Sequence, residues 1–122
     1  MRKLSTTVLL ICLLSGCGQA RTQDAAALKK VFENPAPGQM GPEFTEMKGI
    51  VDQAISAVSD GDLPRAIETL TIAGLQKNLS DDQREAVQNA MGSVQTQLAN
   101  RADAGDIAAR EALERYRAMK RR

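Results

Sequence analysis

Between Phe44 and Tyr116 the apolar side chains recur three or four residues apart, in four successive runs broken by glycine or acidic residues. Residues at that spacing share one face of an α-helix, whereas a half-buried strand needs alternation every second residue. The chain is therefore expected to be all-α. The first run, Phe44, Met47, Ile50, Val51, Ala54, Ile55 and Val58, predicts a helix from Pro42 to Ser59, entered at Gly41-Pro42 because proline in a first turn gives up only a donor that would be unpaired anyway. Asp60-Gly61-Asp62 reads as a stop and a restart, with Gly61 free to take a left-handed conformation and Asp62 placed to cap the next helix. Leu63, Ala66, Ile67, Leu70 and Ala73 then predict a second helix to about Lys77, with Gly74 allowing a close crossing.

Ser80-Asp81-Asp82-Gln83 has the form of a capping box, and both aspartates sit where the positive end of a helix dipole favours them. Val87, Met91, Val94 and Leu98, widened by Ala86 and Ala90, extend that third helix from Asp81 to about Asn100. After a break at 103–106, Ile107, Ala109, Ala112, Leu113 and Tyr116 make a fourth stripe. The expected architecture for 42–122 is a small bundle of antiparallel helical hairpins with about four helices. Upstream, Asn34 to Pro42 packs prolines and glycines closely enough to break regular structure, and the domain boundary is expected there. Residues 25–33 could form a short helix with Leu28, Val31 and Phe32 on one side. Such a piece is marginal alone in water, so it either docks or frays, and 17–41 reads as a tether.

The first residues carry a different message. Arg2 and Lys3 precede a short, mostly apolar run from Leu4 to Leu14, and Ser15 and Gly16 are small. A basic start, an apolar middle and small residues before a cut define a secretory leader, and the run is well short of the ~20 residues that span a bilayer. The ending Leu14-Ser15-Gly16-Cys17 resembles the lipobox of bacterial lipoproteins. The resemblance implies a signal peptide at 1–16, cleavage between Gly16 and Cys17, and a diacylglyceryl thioether on Cys17, so that the membrane is engaged through covalent lipid. Gly18 stands where enterobacterial lipoproteins retained at the inner membrane carry aspartate, which favours the outer membrane, facing the periplasm.

Export to an oxidising compartment would normally invite disulfides, but one of the two cysteines lies in the leader and the other would carry lipid. Packing alone must hold the fold. The absence of His and Trp removes histidine metal sites and most general-base chemistry. A formal charge of +1, which falls further once Arg2 and Lys3 are cleaved, gives no global case for nucleic acid. Ser56, Ser59, Ser80 and Ser93 have no base to activate them, and Asp60, Asp62, Asp81 and Asp82 are placed as caps rather than as metal ligands. No catalytic residue, cofactor or metal is expected, and the chain does not read as an enzyme. Its last eight residues, from Arg115 to Arg122, carry five positive charges, suited to a helix C-terminus or to an anionic surface.

Residues 47–78 are similar to a tetratricopeptide-like helical hairpin: Ala54 takes the small position of its first helix, Gly61-Asp62-Leu63 the turn, and Ala66, Leu70 and Ala73 the pattern of its second. Ala57 replaces the usual aromatic and Asn78 the terminal proline. The resemblance implies a surface that holds peptides of partner proteins, here a small groove lined from the first two predicted helices. Two functional expectations result. One is an anchored protein-interaction module with an envelope partner or a second copy of itself. The other is a passive structural lipoprotein touching cell wall or anionic lipid through its basic C-terminus.

Overall fold

The structure of the protein, a computed structural model, describes residues 16–122, with side chains from residue 23 onward; the expected leader up to residue 15 and the Cys17 side chain lie outside the described residues. The described residues form five helices: α1 (Gly16–Glu33), α2 (Pro42–Asp60), α3 (Leu63–Gly74), α4 (Asp81–Asp103) and α5 (Ile107–Lys120). The protein is all-helical over these residues, as the periodicity predicts.

Local chemistry sets the helix starts. Asp62 accepts a hydrogen bond from the Arg65 amide at 3.3 Å and Asp106 one from the Ala109 amide at 3.1 Å, so each occupies a donor that the first helical turn leaves free. At α4 the capping box is complete: Ser80 Oγ accepts from the Gln83 amide and Gln83 Oε1 accepts from the Ser80 amide. Gly61 ends α2 at φ 74°, a left-handed conformation that a Cβ would make costly, and its amide returns to the last carbonyls of the helix.

The first four helices pack cyclically, α1 on α2, α2 on α3, α3 on α4 and α4 back on α1, while α5 lies across α3 and α4. Short connections make sequential neighbours antiparallel. The core is filled by the expected stripes: Met47, Val51, Ala54 and Val58 from α2, Leu63, Ala66, Ile67, Leu70 and Ala73 from α3, Val87, Ala90, Val94 and Leu98 from α4, and Ala109, Ala112, Leu113 and Tyr116 from α5. Many of these are alanines. Helices facing one another through alanine approach closely, so this core is thin and depends heavily on its few large side chains.

Of the two outcomes open to residues 25–33, docking is the one found: Ala25, Leu28 and Phe32 are buried, with Leu28 fully so. The Pro/Gly stretch therefore joins two helices of one core. The second predicted helix ends at Gly74 rather than near Lys77, because Leu75 and Gln76 turn back onto Ile72 and Ala73 with tighter three-residue hydrogen bonds. The third runs on past Asn100 to Asp103, where Arg101 Nη1 donates to the Gly61 carbonyl at 3.2 Å and ties the α4 end to the α2–α3 turn. Ile107 is 70% exposed despite its place in the fourth apolar stripe, since it precedes the first position of α5 that faces the bundle.

Candidate interaction surface

The end of the bundle where α1 stops and α4 starts is closed by a buried polar knot. Gln83, in the first turn of α4, and Gln39, in the α1–α2 connection, face each other as a reciprocal amide pair. Gln39 Nε2 donates to Gln83 Oε1 at 2.6 Å, and Gln83 Nε2 donates to Gln39 Oε1 at 2.9 Å. Gln83 Nε2 also reaches the Val31 carbonyl of α1 at 3.3 Å; Gln39 Oε1 accepts from the Ala36 amide, and Gln39 Nε2 donates to the Asn78 carbonyl. Two side chains thus clamp the end of α1, both connections at this end and the start of α4. Among the described residues no buried side-chain nitrogen or oxygen lacks a partner, so the knot is satisfied throughout.

Gln83→Glu tests this arrangement. The carboxylate keeps its capping oxygen but loses the donors aimed at Val31 and Gln39, at a site that is only 1% exposed. The helix dipole favours an anion here by about 0.3–1 kcal/mol, but desolvating a charge costs several kcal/mol, so burial wins. The new carboxyl is held above its ordinary value of about 4.3 in the folded state. The variant is therefore closest to wild type below that value and loses stability as pH rises through its folded pKa. Urea unfolding at acid and neutral pH should show the wild-type-minus-variant difference growing towards neutrality, by roughly 1–3 kcal/mol or more. A difference independent of pH would contradict it.

The polar residues expected at helix ends are found there. Asp62 and Ser80 are caps, and Asp81 and Asp82 lie in the first turn of α4. Among the described residues no cluster of three or more carboxylates or cysteines is arranged to hold a metal ion. Gly16 and Cys17 open the backbone of α1, at the end opposite the Gln39–Gln83 knot. From Cys17 to Ala25, the first buried residue among those whose side chains are described, is about 12 Å of helix.

Open surface forms several grooves, one of them lined from the first two predicted helices. Ala54, Ala66 and Ala73, the small positions of the tetratricopeptide-like hairpin, are completely buried. A groove of ≈ 420 Å³ runs between the end of α3, the first half of α4 and the end of α5. Val87 and Met91 form its floor, Leu75 stands at its rim 75% exposed, and Gln95 Nε2 fixes the Tyr116 hydroxyl at its lower end at 3.0 Å. On the other side of Tyr116, a second groove of ≈ 340 Å³ separates α3 from α5, where Met119 is 50% exposed. A third hollow of ≈ 400 Å³ adjoins the knot, lined by Glu43, Phe44 and Met47 of α2 and by Leu75, Gln76 and Lys77 just after α3, beside Met40 at 83% exposure. In sequence these positions look like ordinary members or neighbours of apolar stripes; only their exposure distinguishes them.

The basic residues of α5 also come to the surface. Arg115, Arg117, Lys120, Arg121 and Arg122 are all exposed, and the Lys120 ammonium lies 5.6 Å from the centre of the Tyr116 ring. Among the described residues no helix is long and apolar enough to cross a membrane. Comparison of the chain with protein-family models, with curated proteins and with solved structures finds no match.

Proposed function

We propose that the chain is the precursor of a lipid-anchored envelope protein whose helical bundle holds a partner protein. The observation that carries this reading is the surface. The helix-start oxygens are spent on caps and the buried polar atoms on each other, while large apolar side chains, Leu75, Met40 and Met119, stand exposed around grooves. Exposed apolar surface of that kind marks interaction sites. The lipobox resemblance at Leu14 to Cys17 supplies the anchor, on the outer membrane and facing the periplasm, and confinement there raises the local concentration of partners so that a modest groove suffices. The tetratricopeptide-like hairpin, now α2 and α3, supports the same reading by resemblance.

The exposed cations of α5 favour a second reading, a passive structural lipoprotein that rests on cell wall or anionic lipid. Photo-crosslinking in intact cells, with the crosslinker placed at Leu75 or Met119 in the anchored protein, separates the two. A discrete protein adduct, either a second copy or an envelope protein, is expected. Recovery of only lipid and wall fragments would transfer the case to the passive reading.

A further inference from the structure

We infer that the groove between α3, α4 and α5 is the docking site, and that its occupant is an acidic amphipathic segment of a partner protein. This rests on the interaction-module reading and specifies the face and the partner's chemistry. Two cations flank the groove, Arg84 from the first turns of α4 and Lys120 from the end of α5, and among the described residues no carboxylate lines it. The floor between them is apolar, made by Val87 and Met91 and continued by exposed Leu75. An occupant that matches both features presents apolar side chains inward and carboxylates at its edges. From Arg84 to Gln95 the groove follows α4 for about 16 Å, the length of about three helical turns.

Gly92 adds a second reason to place the contact here. It sits in the interior of α4, where glycine costs roughly 0.5–1 kcal/mol relative to alanine. Within the chain nothing requires the missing side chain, since a Cβ at Gly92 would meet no atom within 4 Å. In the groove wall its absence leaves the α4 backbone open to close approach from outside. Among the described residues α1 lines no part of the groove.

The test uses the full chain in detergent with two labelled peptides of about three helical turns. One carries leucine and alanine on one face with glutamates at its flanks; the other is the same sequence with lysine for glutamate. Fluorescence anisotropy should show saturable binding of the acidic peptide only, weakening as salt shortens the Debye length below about 10 Å. Arg84→Glu combined with Lys120→Glu should lower its affinity by about tenfold or more. Gly92→Leu, which fills open space outside the core, should block binding while leaving the helical circular dichroism unchanged. Equal binding of both peptides, absence of acidic-peptide binding, or indifference to these variants would overturn the assignment. So would a concentration-dependent dimer that Gly92→Leu abolishes, which would give the groove to a second copy. A partner captured in intact cells that survives Gly92→Leu would leave the interaction module standing and remove this groove from it.

Discussion

Cys17→Ser is expected to abolish fatty-acid incorporation completely and to leave the uncleaved precursor, detected by metabolic labelling and by a slower band on a gel. The proposed anchor requires a sulfur nucleophile at that position. A thiol with a pKa near 8.5 supplies a usable fraction of thiolate at neutral pH, whereas a serine hydroxyl supplies essentially none. Cleavage before residue 17 depends on prior lipidation in the family that Leu14-Ser15-Gly16-Cys17 resembles, so both events should fail together. Cys12→Ser is the control. Leu10 and Ile11 precede Cys12, and a bulky β-branched residue stands where the pattern wants glycine or alanine, so this variant should label like wild type. Because each buried CH₂ of an acyl chain contributes about 0.8 kcal/mol, loss of the lipid should change the protein's partition between membrane and soluble fractions by orders of magnitude once the leader is also removed. Wild-type labelling of Cys17→Ser would end the lipoprotein reading, and with it the assignment to the outer membrane.

Phe32→Ala should cost about 3–5 kcal/mol in urea or thermal unfolding, a large part of the roughly 5–15 kcal/mol that a domain of this size retains. Phe32 is 1% exposed and stands among the largest fully buried side chains, in a core otherwise rich in alanine. An alanine-rich core has few long side chains to fill the cavity it leaves, which therefore collapses poorly. The loss should also spread beyond its own site. Phe32 and Leu28 hold α1 against α2 and α4, and the Val31 carbonyl between them accepts from Gln83 Nε2, so a loosened α1 opens the Gln39–Gln83 knot. Hydrogen exchange should quicken in α1 and in the first turn of α4 before the middle of α3. Leu70→Ala, at a fully buried position of α3, is the companion, with an expected cost of about 2–5 kcal/mol and no selective effect on α1. Were 25–33 merely a tether, Phe32→Ala would shift stability by less than about 0.5 kcal/mol, as surface changes do.

The limits of local sequence patterns show most clearly at Gln83. Its role as a cap was legible because the whole motif lies within three residues, and any chain with Ser80 and Gln83 at that spacing satisfies the same donors. Its pairing with Gln39 spans 44 positions and depends on how the bundle closes. Glutamine is usually a surface residue, so nothing local marked either side chain for burial. The interaction surface divides in the same way. The cations at Arg84 and Lys120 are visible in the sequence, but their position on two sides of one apolar groove comes from the packing of α5 against α3 and α4.

By itself, the sequence determined the helical class, the starts of α2 to α5 and most of the apolar faces, because propensity, capping and the 3.6-residue period all act over one or two turns. Tertiary structure alone decided that α1 belongs to the core, that Ile107 faces water and that a groove flanked by two cations opens among α3, α4 and α5. The stretch 25–33, with Ala25, Leu28 and Phe32 buried, gains too little within itself to order, and what tips it is the surface offered by α2 and α4, which exists only once the rest of the bundle has packed.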